Sequence, residues 1–355
     1  MTTATTRTES RWHELAERVL SGEDASADDA RAVLAAPNVE LLDVMAAAYR
    51  VRHHYFGDSV KLNYLINAKS GICPEDCHYC SQSRISSAEI DRYPMLSADE
   101  IAARAERAVE LRASTCCIVT AARRPSAREL REVSDAVRQV KEKHPELKIC
   151  ACMGLLDDDE AATLRAAGVD RYNHNLNTAE SHYQDICTTH TYADRVETVG
   201  AVARSGISPC SGVIVGMGES DDELVQVALE LRQLKVDSIP VNFLIPIEGT
   251  PLHDRPARID PRVALRVLAM YRFVCPDREI RLSAGREVHF GTLQPLGLYA
   301  ANAIFVADYL TEQGQAPEQD WQMIEDLGFS VEPLGGPMGP TRPSEHTVAA
   351  EATIT

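Results

Sequence analysis

The chain has 355 residues, of which 45% are hydrophobic and 25% charged, an ordinary globular balance with enough apolar material for a large core. Wholesale disorder and a disulfide miniprotein are excluded. Asp and Glu outnumber Lys and Arg by 53 to 36, a net charge of -17, so no broad basic field invites nucleic acid. No run approaches the ~18 apolar residues of a membrane span. The opening MTTATTRTES lacks the apolar centre of an export signal, so a cytoplasmic protein is expected. In that compartment the ten cysteines point to metal or redox chemistry rather than to a disulfide framework.

Residues 11–56 read as a helical preface. RWHELAERVL places Trp12, Leu15, Val19 and Leu20 on one face and stops at Gly22. SADDARAVLAA follows and is closed by Pro37. VELLDVMAAAYRVRHHYF carries an apolar stripe through Val39, Leu42, Met45 or Ala46, and Tyr49, expected to pack on the next domain.

From residue 60 short apolar runs alternate with longer helical patterns. The runs lie near 62–67, 115–120, 147–152, 169–173, 210–215, 238–244, 279–283 and 301–306. Helices are expected over 98–112, 126–143, 158–168, 192–206, 221–235 and 261–274, with Ser or Asp at starts and Gly at several ends. Eight strand–helix units over roughly 250 residues imply an α/β fold, a closed (β/α)8 TIM-type barrel. The expected division is an N-terminal helical extension (1–58), the barrel (59–333) and a Gly-, Pro-, Thr- and Ala-rich disordered tail (334–355).

Three cysteines crowd into CPEDCHYC, Cys73, Cys77 and Cys80, just after the first strand. The spacing C-x3-C-x2-C lets three thiolates hold three irons of a cubane and leaves the fourth iron open. A structural zinc loop is the competing reading. It usually wants C-x2-C plus two more ligands, and later strand thiols keep it open by counting. Further along, Cys117, Cys150 and Cys210 fall on the second, third and fifth strands and Arg281 on the seventh. If all four face inward, three thiols and a guanidinium converge inside the barrel. Cys116 should face away from Cys117, whereas Cys152 shares the face of Cys150 and competes with it as a ligand. Cys187 and Cys275 are taken as packing residues. In YNHNLNT, Asn173, Asn175 and Asn177 alternate and should form an amide wall at the barrel mouth, joined by Asn242, with His174 pointing the other way.

The C-x3-C-x2-C loop, with Tyr79 before its last cysteine, resembles the radical S-adenosylmethionine superfamily. CSGVIVGMGES (210–220) resembles that superfamily's glycine-rich stretch near the cofactor. Within the superfamily, the strings CPEDCHYCSQS, YNHNLNT, TYADRV, CSGVIVGMGE, DSIPVNFL, GTPL and RLSAGRE are similar to the biotin synthase family over roughly residues 40 to 330. The resemblance implies a [4Fe–4S] cluster on Cys73, Cys77 and Cys80 and a [2Fe–2S] cluster on Cys117, Cys150, Cys210 and Arg281. It implies S-adenosylmethionine at Tyr79, Asn175, Asn177, Gly216 and Gly218, and substrate at Asn173 and Asn242. Some members carry Asp at the position of Asn177. The implied reaction is radical insertion of sulfur between C6 and C9 of dethiobiotin to give biotin. Sulfur would come from the sacrificial [2Fe–2S] cluster, and no side chain would act as acid or base. Implied partners are a flavodoxin- or ferredoxin-type reductant, iron–sulfur assembly proteins and a second copy in a homodimer. The competing readings are a radical enzyme for another small molecule, or a non-catalytic iron–sulfur sensor or electron carrier.

Overall fold

A computed structural model describes residues 10–255 and 259–340. Its strands are β1 (Ser59–Lys69), β2 (Thr115–Thr120), β3 (Lys148–Cys152), β4 (Arg171–Asn173), β5 (Ser208–Cys210), β6 (Val213–Val215), β7 (Ser238–Phe243), β8 (Glu279–Leu282), β9 (Ala303–Phe305) and β10 (Ser330–Val331). They pair in parallel in the order β1-β2-β3-β4-β5-β7-β8-β9, and β9 returns to β1. β5 and β6 both pair with β7 and are two halves of one stave, so the closed barrel has the eight staves expected. The run at 210–215 is therefore broken, at Ser211 and Gly212, where a Cβ on Gly212 would lie 1.9 Å from the Pro240 carbonyl oxygen. Only glycine allows that approach. β10, pairing with β1 at Ser59 and Val60, is an addition outside the barrel that no sequence run announced.

The helices are α1 (Arg11–Leu20), α2 (Ala27–Leu34), α3 (Leu41–Phe56), α4 (Ala98–Glu110), α5 (Ala127–Lys143), α6 (Asp158–Ala167), α7 (Glu180–Tyr183), α8 (Tyr192–Arg204), α9 (Asp221–Gln233), α10 (Pro261–Val274), α11 (Arg286–Phe290) and α12 (Pro317–Asp326). Five crossover helices, α4, α5, α6, α8 and α9, begin with reciprocal capping boxes, for example Ser97 with Glu100 and Thr191 with Asp194. Each box satisfies two backbone donors that the first turn leaves open and fixes where the loop ends. Since barrel function sits on those loops, the caps set the frame of the site.

The preface packs on the barrel's outer helices, α3 on α10 and α2 on α9 and α10. Its face is only in part the one read from the sequence: Met45 is buried and Tyr49 packs on the core, but Val39 and Leu42 are 88% and 68% exposed. Val39 sits in a 3-10 turn (Asn38–Glu40) ahead of the helix, so a stripe anchored there is out of phase. The buried face runs through Leu41, Val44, Met45, Ala48 and Val51. At the other end, residues 334–340 close the N-terminal end of the barrel, where Lys61 Nζ donates to the Pro337 carbonyl at 3.0 Å. The chain is thus engaged past the expected start of the tail, and residues 341–355 lie outside the described residues. Among the described residues no single helix is long and apolar enough to cross a membrane.

Candidate active site

Strand register stacks the barrel interior in layers. Cys117 is level with Cys150 and Cys150 with Arg171; Asn173 is level with Cys210, and Pro240 with Arg281. Partners in a parallel ladder share a face, so these side chains point the same way. Cys116, one residue off, joins the core between sheet and helices, whereas Cys117 and Cys150 cluster inside with Phe305. The expected inward convergence of three thiols and Arg281 is what the structure holds.

Below that layer lies a charge network with no counterpart in the sequence reading. Glu279, buried to 3% exposure, accepts from Arg171 Nη1 at 2.9 Å on each carboxylate oxygen and from Arg281 Nη2 at 2.7 Å, and lies 3.2 Å from Lys61 Nζ. Burial opposes its charge, but Arg171, Lys61 and Arg281 outweigh burial and hold its carboxyl well below the usual range. Three buried cations face this one carboxylate, with Glu332 next to Lys61 at 3.4 Å, so the interior keeps an excess of positive charge. The thiols above answer it. The neighbouring Cys117 and Cys210 thiols raise the Cys150 thiol, whose sulfur donates to the Ala151 carbonyl at 3.9 Å. The adjacent Cys150 thiol, against burial and with help from Arg281, lowers Cys117. Burial opposes the Cys210 thiolate, but Cys150, Arg281 and Arg171 together bring it down to about 6. Asn173 Nδ2 also donates to its sulfur at 3.2 Å. Arg281 Nε is buried without a hydrogen-bond partner. An orphaned donor beside three convergent thiols marks a place for an acceptor or ligand that the chain itself does not supply. Replacing Glu279 with Gln leaves the cations uncompensated and should cost about 3–5 kcal/mol of stability, read by urea unfolding; a loss under ~1 kcal/mol would show the network to be solvated instead.

Above the thiols a cavity of about 370 Å³ opens at the C-terminal ends of the strands. Cys73, Cys77, Cys80 and Tyr79 border it from the loop after β1, and Cys117, Cys150 and Arg281 from below. Cys152 borders it too, so the structure keeps Cys152 on the face of Cys150, as expected. Burial pushes the Cys73 thiol up to about 11 and also raises Cys80. The amide wall is present: Asn173, Asn175, Asn177 and Asn242 all border the cavity. Asn173 Nδ2 donates to Asn175 Oδ1 at 2.9 Å, and Asn177 Nδ2 to the Tyr79 hydroxyl at 2.6 Å. Of the three alternating amides only Asn173 lies in a strand; Asn177 has left-handed backbone, φ +70°, so a turn completes the alternation. His174 does not simply turn away. It borders the cavity with Nε2 buried and unbonded, and burial lowers it well below the usual range.

Gly216 and Gly218 are not among the residues bordering the cavity. They turn the chain with φ +103° and +116°, and Glu219 closes the loop by accepting from the amides of Gly216 and Met217 at 2.6 and 2.8 Å. Cys210 likewise sits one step behind the cavity wall. Arg195 was missed as a site residue although TYADRV contains it. It reaches the cavity from α8 and donates to the Asn175 carbonyl at 2.6 Å and to the Tyr183 hydroxyl. Cys187, taken as a packing residue, instead lies 3.8 Å from the Cys77 sulfur and 3.3 Å from His190 Nδ1. Residues 309–312 cover the mouth, where Thr311 bonds Ser81 at 2.8 Å.

The profile of the Radical SAM superfamily matches residues 68–231, and that of the Biotin and Thiamin Synthesis associated domain matches 240–330. The chain is 53% identical over 321 residues to a biotin synthase of Bacillus cytotoxicus, covering 90% of this chain and 96% of the relative. It is 53% identical over 317 residues to one of Rhodopirellula baltica, covering 89% and 88%. The crystal structure of methylornithine synthase (PylB) shares the fold, with a TM-score of 0.78 at 21% identity over 90% of this chain and 97% of that one. With relatives this similar along nine-tenths of its length, the chain belongs to the biotin synthase family, within the radical S-adenosylmethionine superfamily.

Proposed function

We propose that this chain inserts sulfur between C6 and C9 of dethiobiotin to give biotin. The observation that carries the reading is one cavity bounded above by a C-x3-C-x2-C loop and below by inward thiols and Arg281. A sensor or electron carrier needs no amide-lined chamber between its two thiol sets. When bound, the [4Fe–4S] cluster with S-adenosylmethionine supplies radical hydrogen abstraction, and the [2Fe–2S] cluster supplies sulfur.

The residues present suit those groups. Soft thiols are the usual protein ligands of iron–sulfur clusters. Cys73, Cys77 and Cys80 would hold the first; Cys117, Cys150, Cys210 and Arg281 would hold the second, with the unbonded Arg281 Nε available to it. Arg171 and Glu279 orient Arg281 and supply the positive field an anionic thiolate set requires. Asn173 and Asn242 would bond the ureido group, and Tyr79, Asn175 and Asn177 the cofactor's polar groups. Gly216 and Gly218 would act through the loop they shape. Leu65, Phe243 and Phe305 give the cavity an apolar lining that keeps water from a reactive carbon centre. The C–H bonds to be broken are not acidic, so no side chain is assigned as acid or base.

A low-potential donor of the flavodoxin or ferredoxin kind, assembly proteins that load the clusters, and a homodimer belong to the same reading. Its test is anaerobic reconstitution with iron and sulfide, then incubation with dethiobiotin, S-adenosylmethionine and reductant. Biotin by mass spectrometry, with loss of the [2Fe–2S] absorbance, is expected. 5'-Deoxyadenosine without biotin, with both clusters intact, would overturn the substrate. Asn177→Ala removes one amide from the cofactor wall and should raise KM for S-adenosylmethionine about tenfold, ~1.4 kcal/mol, with kcat little changed. An unchanged KM would place the adenosyl group elsewhere.

A further inference from the structure

Beside Cys77 of the first thiol loop stand two donors that the reaction does not use, Cys187 and His190. Cys77, Cys187 and His190 are all buried, and their ligand atoms lie within 4.8 Å of one another. Cys77 and Cys187 sulfurs are 3.8 Å apart, and His190 Nδ1 is 3.3 Å from the Cys187 sulfur. A tetrahedral ion ~2.3 Å from each of two thiolates holds them about 3.8 Å apart, and an imidazole nitrogen ~2.0 Å from the same ion falls about 3.5 Å from either sulfur. The triad therefore has the dimensions of three corners of a tetrahedral site. Its imidazole is braced as metal-binding histidines are, Nε2 against the Tyr183 hydroxyl at 2.8 Å. Glu75, 4% exposed, hydrogen-bonds the same His190 Nδ1 through Oε2, a bond that an ion on Nδ1 replaces, while its buried Oε1 has no hydrogen-bond partner, only Arg123 Nε at 3.6 Å. Glu75 is not part of the group within 4.8 Å, so the triad supplies three corners and the fourth is left to solvent from the cavity. Cys77, His190 and Glu75 border the main cavity, which gives an ion its way in.

We propose that the chain without its clusters binds one thiophilic divalent ion, Zn²⁺ or Fe²⁺, through Cys77, Cys187 and His190. The ion replaces thiol protons, which leave to solvent, and no electron is transferred. Because Cys77 is also assigned to the [4Fe–4S] cluster, the two occupations exclude each other. That consequence rests on the function proposed above; the ion site itself does not.

The test is an anaerobic titration of the cluster-free full chain with Co²⁺, followed by displacement with Zn²⁺ and, separately, with Fe²⁺. One equivalent should bind with the thiolate charge-transfer band and the intense visible bands of a tetrahedral site. Cys187→Ser and His190→Gln should each weaken binding by roughly a hundredfold. Circular dichroism confirms that both variants fold, and because the two changes lie on different ligands, loss in either folded variant carries the result. Displacement by Zn²⁺ alone, or by both ions, tells which the site accepts. The same affinity and spectrum in both variants would overturn the proposal and assign the ion to Cys73, Cys77 and Cys80 alone. Absence of binding would overturn it as well. With Zn²⁺ in place, [4Fe–4S] assembly should slow in the parent chain and not in Cys187→Ser. Failure of both to assemble without Zn²⁺ would count against the cluster assignment rather than the ion site.

Discussion

Cys73→Ala is expected to abolish reductive cleavage of S-adenosylmethionine, lowering 5'-deoxyadenosine formation by roughly a thousandfold or more, the scale on which a member of an interdependent set acts. The reason is geometric. A cubane with one iron left open for the cofactor needs three thiolates, and the loop offers three. Cys73 is a cleaner choice than Cys77, because Cys187 stands 3.8 Å from Cys77 and offers a second sulfur at that corner. Among the described residues no sulfur outside the loop is hydrogen-bonded to Cys73 in this way. The thiol is partly exposed and bordered by the cavity, so its removal leaves the barrel core intact. The [4Fe–4S] absorbance should disappear while the [2Fe–2S] absorbance persists. Normal cofactor cleavage in the reconstituted variant would remove this loop from the chemistry.

The features legible in the sequence were those with a short period. Strand cysteines announce their side by parity, which is why Cys116 could be set apart from Cys117, and why Cys152 stayed a rival of Cys150. Eight alternations of strand and helix are likewise local and repeat, so the barrel could be read even through the three-residue β4. What escaped depended on distance along the chain. Arg171 and Glu279 are 108 residues apart and meet only because the barrel closes. Cys187 and Cys77 are 110 apart, and a cysteine in a loop with no strand parity carries no directional signal. The error at Val39 and Leu42 was one of phase: a stripe can be drawn through a turn as easily as through a helix until the turn is known. Gly216 and Gly218 showed the opposite limit, a motif that was recognised but stands behind the wall rather than on it.

The sharpest separation of the two thiol sets comes from Cys150→Ala. Cys150 neighbours both Cys117 and Cys210, so its loss removes the centre of the lower set while the loop at Cys73 to Cys80 is untouched. Biotin formation should fall by roughly a thousandfold or more, and the [2Fe–2S] absorbance should fail to form. Cleavage of S-adenosylmethionine should continue within about threefold of the parent chain, because no residue of the upper set has moved. The variant thus uncouples radical generation from sulfur transfer, which neither a sensor nor a single-cluster enzyme could show. Cys152→Ala is its necessary companion. Cys152 shares the inward face and borders the same cavity, but it is level with Val119, one layer toward the mouth, whereas Cys150 is level with Cys117 and with Arg171. Sulfur insertion should therefore survive in Cys152→Ala and be lost in Cys150→Ala. The reverse result would move the lower cluster one layer toward the mouth and detach it from Arg281 and from the charge network that holds that guanidinium in place.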